Sequence, residues 1–372
     1  MGAERACGPF PVPRKTQLYF SDAPYNIIMQ GSAMTAEATI SLTINNGALT
    51  IAAAAGETLF QAFSRSRVFL PTACGGQGRC GLCRVRITAG CPEPNEAERK
   101  HLDQEALQSG IRLACQTIVT APMAITIPEA YYTASDYRVK VTKITPMTRD
   151  IVMVRCQALE PRQIHVEAGA WMFFRCPPYE GCPEGVERPF SIASDTRDKR
   201  NLEFIIRRNP AGICTKWIFE KMQVGDEIVL NGPHGDFRLH DTPCEALFIA
   251  GGSGLSAIRS ILLEMKNKKS PKKARLFFGA STCRDLYLLD ELRDLENSLP
   301  DFRLVPAVSS VCPGDDWDGE TGLITAILAK HIGDCSEAEA YLCGSPAMIN
   351  ACIDVLTAHG MPGSQIYFDK FA

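Results

Sequence analysis

Polar and apolar residues alternate over 38–45 (Ala-Thr-Ile-Ser-Leu-Thr-Ile-Asn), Asn46-Gly47 marks a tight turn, and residues 48–53 resume the extended pattern. This predicts a β-hairpin. Gly56-Glu57-Thr58 then opens a helix, with Thr58 as its cap and Leu59, Phe60, Ala62 and Phe63 at helical spacing. A cysteine-bearing loop follows, and this first module closes near Ile127-Pro128. From Tyr137 to about Leu239 short strands recur over 137–144, 151–155, 171–175, 202–207 and 227–231, separated by glycine and proline turns. That rhythm predicts an antiparallel β-barrel or sandwich. After Glu245 it changes to strand, glycine loop, helix, with strands at 246–250, 275–279, 303–309 and 340–343 and a helix over 255–266. Alternation of this kind predicts a doubly wound parallel α/β sheet. The expected division is an N-terminal extension over 1–35, a first module over 36–131, a barrel over 132–241 and an α/β domain over 242–372.

Composition narrows the function classes. A chain of 372 residues exceeds what one core usually organises, and 45% hydrophobic with 22% charged residues is ordinary for a globular protein. The net charge of -3, with no basic stripe interleaved with aromatics, argues against nucleic-acid binding. The short run Lys266 to Lys273 reads as a solvated helix end and turn around Ser270-Pro271. No stretch approaches eighteen consecutive apolar residues, so no transmembrane helix is expected. The segment before residue 36 lacks the apolar core and cleavage site of a signal peptide, and Met29 and Met34 both precede the first strand. It reads as a leader, an extension or an early start, with cytoplasmic residence the default.

Sixteen cysteines raise a choice between a disulfide framework and metal ligation. Spacing favours ligation: Cys74, Cys80 and Cys83 fall within ten residues on a glycine-rich loop, while Cys7, Cys91, Cys156, Cys244, Cys312, Cys335 and Cys352 are scattered and read as small hydrophobes. Cys74-x5-Cys80-x2-Cys83 with the distant Cys115 supplies the four thiolates of a 2Fe-2S centre. Gly75, Gly76, Gly78 and Gly81 let the backbone wrap a compact anionic core and aim N–H groups at its sulfurs. A structural zinc is the other reading of four cysteines, although zinc ribbons usually carry C-x2-C in both halves. The run Cys-Gly-Gly-Gln-Gly-Arg-Cys-Gly-Leu-Cys-Arg-Val and the later Leu-Ala-Cys-Gln resemble the β-grasp ferredoxin domain of plant type. The first gap is five residues rather than the more usual four, similar to that in the F subunit of sodium-pumping NADH:quinone oxidoreductases.

Arg188-Pro189-Phe190-Ser191, placed at the end of a turn, resembles the R-x-[YF]-S signature of the ferredoxin-NADP reductase superfamily. An arginine can fork onto a flavin phosphate, an aromatic can lie on the isoalloxazine, and a serine can hydrogen-bond near its N5. Alone, the tetrapeptide is equally an ordinary strand start. About twenty residues on, Gly212-Ile213-Cys214-Thr215 precedes a helical run and is similar to the superfamily's G-x-x-[ST] pyrophosphate loop, implying FAD, with FMN the alternative.

Gly251-Gly252-Ser253-Gly254-Leu255 follows a strand and opens a helix, the context a phosphate-binding glycine loop requires. It resembles the superfamily's G-G-x-G-[LI]-x-P loop, with Ala257 replacing the proline. Cys343-Gly344-Ser345-Pro346 is similar to the C-G-P-P motif that sets a cysteine beside the nicotinamide, with Ser345 in place of one proline. The ending Tyr367-Phe368-Asp369-Lys370-Phe371-Ala372 resembles the superfamily's terminal aromatic cover of the flavin, with Phe371 expected in that role and Tyr367 and Phe368 as core residues. Ser191, Cys343 and Phe371 are therefore the expected catalytic residues. Arg284 stands where a ribose 2′-phosphate would be gripped, Asp285 beside it argues against one, and the resemblance favours NADH over NADPH.

Together these resemblances imply a reductase that takes hydride from NADH onto FAD and passes single electrons through a 2Fe-2S cluster. The expected acceptor is a partner redox protein such as an oxygenase or corrinoid protein. A peripheral NADH-oxidising subunit of a membrane quinone reductase is the second reading; that subunit normally carries an N-terminal membrane helix, which is not seen here. A non-catalytic redox-sensing module is the third.

Overall fold

The computed structural model describes residues 39–70, 76–79, 81–128, 131–132, 134–180 and 182–370. The expected extension over 1–35, together with Cys74, Cys80 and Phe371, lies outside them.

The first module carries β1 (Thr39–Ile44), β2 (Leu49–Ala54), α1 (Leu59–Arg65), β3 (Arg84–Ala89), α2 (Glu96–His101), α3 (Gln104–Gln108), β4 (Ile111–Leu113) and β5 (Met123–Thr126). Its sheet order is β2-β1-β5-β3-β4, with β1 and β5 parallel and the other pairs antiparallel, a β-grasp arrangement. α1 starts where the sequence places it: Thr58 accepts from the Gln61 amide and Gln61 reaches back to the Thr58 amide, a reciprocal capping box. Leu59, Ala62 and Phe63 point from α1 into a core shared with Leu42, Ile44, Val85, Leu113 and Ile125.

The second body carries β6 (Ser135–Pro146), β7 (Ile151–Glu160), β8 (Trp171–Cys176), β9 (Val186–Ser191), β10 (Asn201–Arg207), α4 (Ile213–Glu220) and β11 (Glu227–His234). The antiparallel order β10-β7-β6-β11-β8-β9 is closed by a bridge from Ile192, just past β9, to Phe204 on β10. The barrel leaves no open edge between its first and last strands. Arg188–Ser191 lies within β9, opposite Phe174 to Trp171 of β8, rather than at the end of a turn.

The third body carries β12 (Glu245–Gly251), α5 (Leu255–Lys268), β13 (Ala274–Ala280), α6 (Leu289–Ser298), β14 (Phe302–Val308), β15 (Glu320–Thr321), α7 (Ile324–His331), β16 (Ala338–Gly344), α8 (Pro346–Ala358) and β17 (Ile366–Lys370). All pairs are parallel, in the order β15-β14-β13-β12-β16-β17. β12 is buried on both faces: Ala246, Phe248 and Ala250 pack toward α5 and α6, Leu247 and Ile249 toward α7 and α8. The order reverses between β12 and β16, which opens a crevice at their carboxyl ends.

The basic run after α5 differs from expectation. The Lys272 side chain is only 8% exposed, its ammonium 2.7 Å from Glu339 and bonded to Thr242 O and Oγ1 at 2.7 and 2.9 Å. Glu339 also accepts from Tyr341 and Thr242. Lys272 is thus the core half of a satisfied ion pair rather than part of a solvated turn, because the chain turns back at Lys269 (φ 50°) and carries it under β16.

Candidate functional site

The cysteine loop is shaped by what packs on it. Gly78 and Gly81 have φ of +73° and +70°, and a Cβ at Gly78 would lie 2.6 Å from Gln116 Nε2, one at Gly81 3.1 Å from the His101 ring. His101, on α2, also bonds Gly78 O through Nε2 at 3.1 Å. Cys83 and Cys115 are buried, and the hydrogen bond from Cys83, with further ones from Gln116 and the Gly78 amide, pulls the Cys115 thiol down to about 6 against the opposing effect of burial. Two neighbouring thiols and inward backbone amides, with one sulfur already thiolate-like near neutrality, suit an iron-sulfur core. Glu98 of α2 is buried and accepts from the amides of Asn95 (2.9 Å) and Leu113 (2.8 Å), fixing the approach to Cys115. Sequence reasoning anticipates neither Glu98 nor His101; the Asn95-x-x-Glu98 capping signature is the signal that could have found them.

At the barrel, Arg188 is exposed on β9, Phe190 meets Phe174 edge-to-face at 5.1 Å, and Ser191 is buried. Pro189 stands opposite Phe173. Gly212 caps α4 without a side-chain acceptor, so the amides of the first turn, including Ile213 and Cys214, are open to an anion. Thr215 does not reach outward: its hydroxyl donates to Asn209 O at 3.1 Å and accepts from the Asn209 amide at 3.1 Å, locking the turn that presents Gly212.

The crevice between β12 and β16 is built by close approach. A Cβ at Gly254 would fall 2.0 Å from Cys343 O, and one at Gly251 2.4 Å from Met348 Sδ. Only glycine allows the turn Gly252–Gly254, which carries the buried Ser253 and leads into Leu255, to press against β16. Tyr287, unanticipated, donates to Gly252 O at 2.8 Å. Ser345 accounts for the missing proline: it caps α8 by accepting from Met348 N, with Pro346 at the first helical position and Gly344 at φ +150° before it.

Three side chains converge there from three elements. Cys343 ends β16 fully buried, and burial holds its thiol well above the ordinary range, so it is neutral. Asp369, opposite Cys343 across β16 and β17, accepts from Ser191 Oγ at 3.2 Å, and burial raises its carboxyl to about 6. Asp369 joins the expected Ser191 and Cys343; sequence reasoning misses it, because nothing local distinguishes it from a surface strand residue. α5 fixes the barrel strand against this crevice with one face: Ser256 donates to Ser191 O (2.6 Å), Arg259 to Ala193 O (2.6 Å) and Ser260 to Ser194 O (2.9 Å), at i, i+3 and i+4. Arg259 is also paired with Glu203 of the barrel and Glu291 of α6.

At the carboxyl end of β13, the exposed Arg284 is paired with an acid. Asp315, from the loop after β14, accepts from its Nε at 3.2 Å and Nη2 at 2.8 Å and from Cys283 Sγ at 2.9 Å. Asp285 instead caps its own turn through Thr282. The barrel and the first module meet through rings: Phe69 lies 5.1 Å from Phe173 and 5.7 Å from His234, and His234 stacks on Trp171 at 4.5 Å. Burial drives the His234 imidazole down to about 4.

Comparison with known proteins finds three domain families along the chain. Family models for a 2Fe-2S iron-sulfur cluster binding domain, an oxidoreductase FAD-binding domain and an oxidoreductase NAD-binding domain match residues 42–120, 138–239 and 248–354. The phenol hydroxylase P5 protein of Acinetobacter pittii is 31% identical, over 89% of this chain and 94% of its own. The F subunit of the Na(+)-translocating NADH-quinone reductase of Pseudomonas aeruginosa is 28% identical, over 93% and 94%. The crystal structure of an Amycolatopsis cytochrome P450 reductase superposes with a TM-score of 0.70 at 26% identity, over 90% of this chain and 99% of that one.

Proposed function

Since the chain belongs to the NAD(P)H-dependent flavo-iron-sulfur reductases, which join a 2Fe-2S domain to FAD- and NAD-binding oxidoreductase domains, we propose that it is the reductase component that feeds electrons from NADH to a separate redox protein. The observation that carries this reading is the meeting of Ser191, Cys343 and Asp369 at the mouth of the β12–β16 crevice, one residue from the barrel and two from the α/β domain. A nicotinamide ring entering that crevice would face a flavin lying on β9.

In this reading Arg188 holds the flavin phosphate, Phe190 lies against the ring system, Ser191 contacts its reactive edge, and Gly212, Ile213, Cys214 and Thr215 form the pyrophosphate turn. Gly251, Gly252, Ser253, Gly254 and Leu255 receive the dinucleotide phosphates, while Cys343, Gly344, Ser345 and Pro346 line the nicotinamide side, and Phe371 is the terminal aromatic. The flavin, when bound, divides a hydride's electron pair into the single electrons a 2Fe-2S centre accepts. The neutral Cys343 thiol keeps water and charge away from the hydride path. Cys74, Cys80, Cys83 and Cys115 ligate the cluster, and Phe69 of the first module packs on Phe173 of β8, which in turn meets Trp171. Module boundaries near 131 and 241 follow from the same assignment.

A second reading, a component of a membrane-bound quinone reductase, draws on the likeness to the Pseudomonas aeruginosa F subunit over 93% of the chain. Among the described residues no helix is long and apolar enough to cross a membrane. The discriminating experiment is steady-state turnover with NADH and either a soluble one-electron haem protein or a quinone in lipid vesicles. Rapid turnover with the haem protein supports the reductase component; turnover with the quinone alone supports the second reading.

A further inference from the structure

The chain leaves α1 through Arg67 in the left-handed region (φ 58°), a conformation disfavoured for any residue with a Cβ. Val68 and Leu70 are buried in the core of the first module, and Phe69 between them turns to the barrel, with its amide donating to Tyr131 O at 2.9 Å. There the Phe69 ring meets Phe173 at 5.1 Å and His234 at 5.7 Å, edge-on to the latter. His234 in turn stacks on Trp171 at 4.5 Å and meets Phe173 at 5.3 Å, so three barrel rings form one platform under Phe69. Trp171 and Phe173 stand on β8 directly opposite Ser191 and Pro189 of β9. Phe69 also precedes Cys74 by five residues, and so leads straight into the cysteine loop.

Buried polar groups orient the platform. Asn231, 4% exposed, donates its amide nitrogen to Asp136 Oδ1 at 2.8 Å, which leaves its oxygen to accept from His234 Nε2 at 3.0 Å. The imidazole is therefore the Nε2–H form, and its Nδ1 is buried with no partner among the described residues. A ring nitrogen left unsatisfied is a cost, so it is the ring's face that this position uses. Asp136 also accepts from Arg175 at 3.1 and 3.3 Å, and the Arg67 guanidinium stands 3.7 Å from its Oδ2. The residue whose backbone aims Phe69 at the barrel thus ends on the acid that orders the platform.

We propose that Phe69 is a positioning residue for electron transfer from flavin to cluster: seated on Trp171, Phe173 and His234, it fixes the cysteine loop at a set separation from the flavin on β9. This rests on the flavin and cluster roles given above. Each transfer moves one electron from the reduced flavin to one iron of the cluster, which passes from ferric to ferrous. The partner protein takes that electron before the second follows, and the proton that came with the hydride is released to solvent. No bond forms between flavin and cluster, so the step depends on how closely and how steadily the two are held. A ring seated among three rings supplies that hold, as substrate-positioning groups do for a chemical step.

The test mixes the purified holoprotein with NADH under anaerobic conditions and times two events: flavin bleaching by absorbance, and cluster reduction by electron paramagnetic resonance of rapidly frozen samples. Hydrogen exchange of the backbone amides over 68–70, read by mass spectrometry, reports the seat itself. Phe69→Ala should bleach its flavin at the parent's rate, reduce its cluster about tenfold or more slowly, and exchange those amides faster. Phe69→Tyr and His234→Phe, which keep a ring on each side of the contact, should match the parent in all three readouts, and His234→Ala should repeat the Phe69→Ala pattern. Cluster reduction at the parent's rate in Phe69→Ala, with or without faster exchange, would overturn the proposal. Equal slowing of both events would do the same, since that marks a general loss of structure. A parent protein whose flavin bleaches while its cluster never gains an electron would overturn the functional reading, and the proposal with it.

Discussion

Ser191, at the end of a barrel strand, donates its hydroxyl to Asp369 Oδ2 at 3.2 Å on the last strand of the α/β domain, 178 residues away in sequence. The bond joins the side that would carry the flavin to the side that would carry the nicotinamide. Its strength is set by the charge on Asp369, whose carboxyl burial raises to about 6.

That shift has a definite sign. Because the folded-state value lies above the ordinary carboxylate range, the folded protein retains a proton that the unfolded chain has already lost between about pH 4 and 6. The stabilisation is whole below this window and is lost as pH rises through about 6. Asp369→Asn, which cannot ionise, should flatten the dependence by roughly 1 kcal/mol per pH unit across it. Thermal unfolding of parent and variant at several pH values checks this, and parallel curves would contradict it.

Cluster and flavin chemistry should separate cleanly. Cys115→Ser removes a buried sulfur that the Cys83 and Gly78 contacts hold ready for a metal. Reduction of ferricyanide by NADH, which needs only hydride transfer to the flavin, should survive largely intact, whereas turnover with a one-electron haem protein should fall by about 100-fold or more, equivalent to about 2.7 kcal/mol or more. Equal loss of both activities would show that the cysteine supports the fold rather than electron exit.

On the proposed reading, a preference for NADH would rest on Asp315, which pairs with Arg284, rather than on Asp285. Asp315 already engages Nε and Nη2 of Arg284, and its carboxylate would repel a 2′-phosphate placed there. Asp315→Asn should raise kcat/KM for NADPH by about tenfold while changing that for NADH less than threefold, a shift of about 1.4 kcal/mol in specificity. An unchanged ratio would remove Asp315 from the site.

Lys272 gives a stability prediction with an internal control. Lys272→Ala leaves Glu339 buried without its cation and should destabilise the α/β domain by about 3–5 kcal/mol. Lys272→Met combined with Glu339→Gln should recover most of that loss. Chemical denaturation reads both, and a single-variant cost below about 1 kcal/mol would return Lys272 to the solvated turn suggested by its sequence.

The sequence disclosed most where chemistry is local. The hairpin, the Thr58 cap, the glycine turn after β12 and the change of rhythm near residue 245 are all set by neighbours within a few positions, so pattern alone finds them. What it could not disclose is set by contacts distant in the chain. Asp369 acquires its role only when β17 pairs with β16 and Ser191 arrives from the barrel, and Lys272 looks like its solvated neighbours until β16 brings Glu339 over it. The motif marks Thr215 as a phosphate ligand, yet its hydroxyl is consumed by Asn209, so its part is to shape the turn. The Asp315–Arg284 pair has the same origin, joining loops after two different strands.

Electrons from NADH, on this reading, pass through the flavin site to a 2Fe-2S cluster in the first module. Anaerobic titration of the purified holoprotein with NADH, following flavin absorbance together with electron paramagnetic resonance, tests that route most directly. The expected result is bleaching of the flavin followed by the signal of a one-electron-reduced 2Fe-2S centre. A protein that binds zinc at the four cysteines, or whose flavin bleaches without any cluster signal, would contradict it.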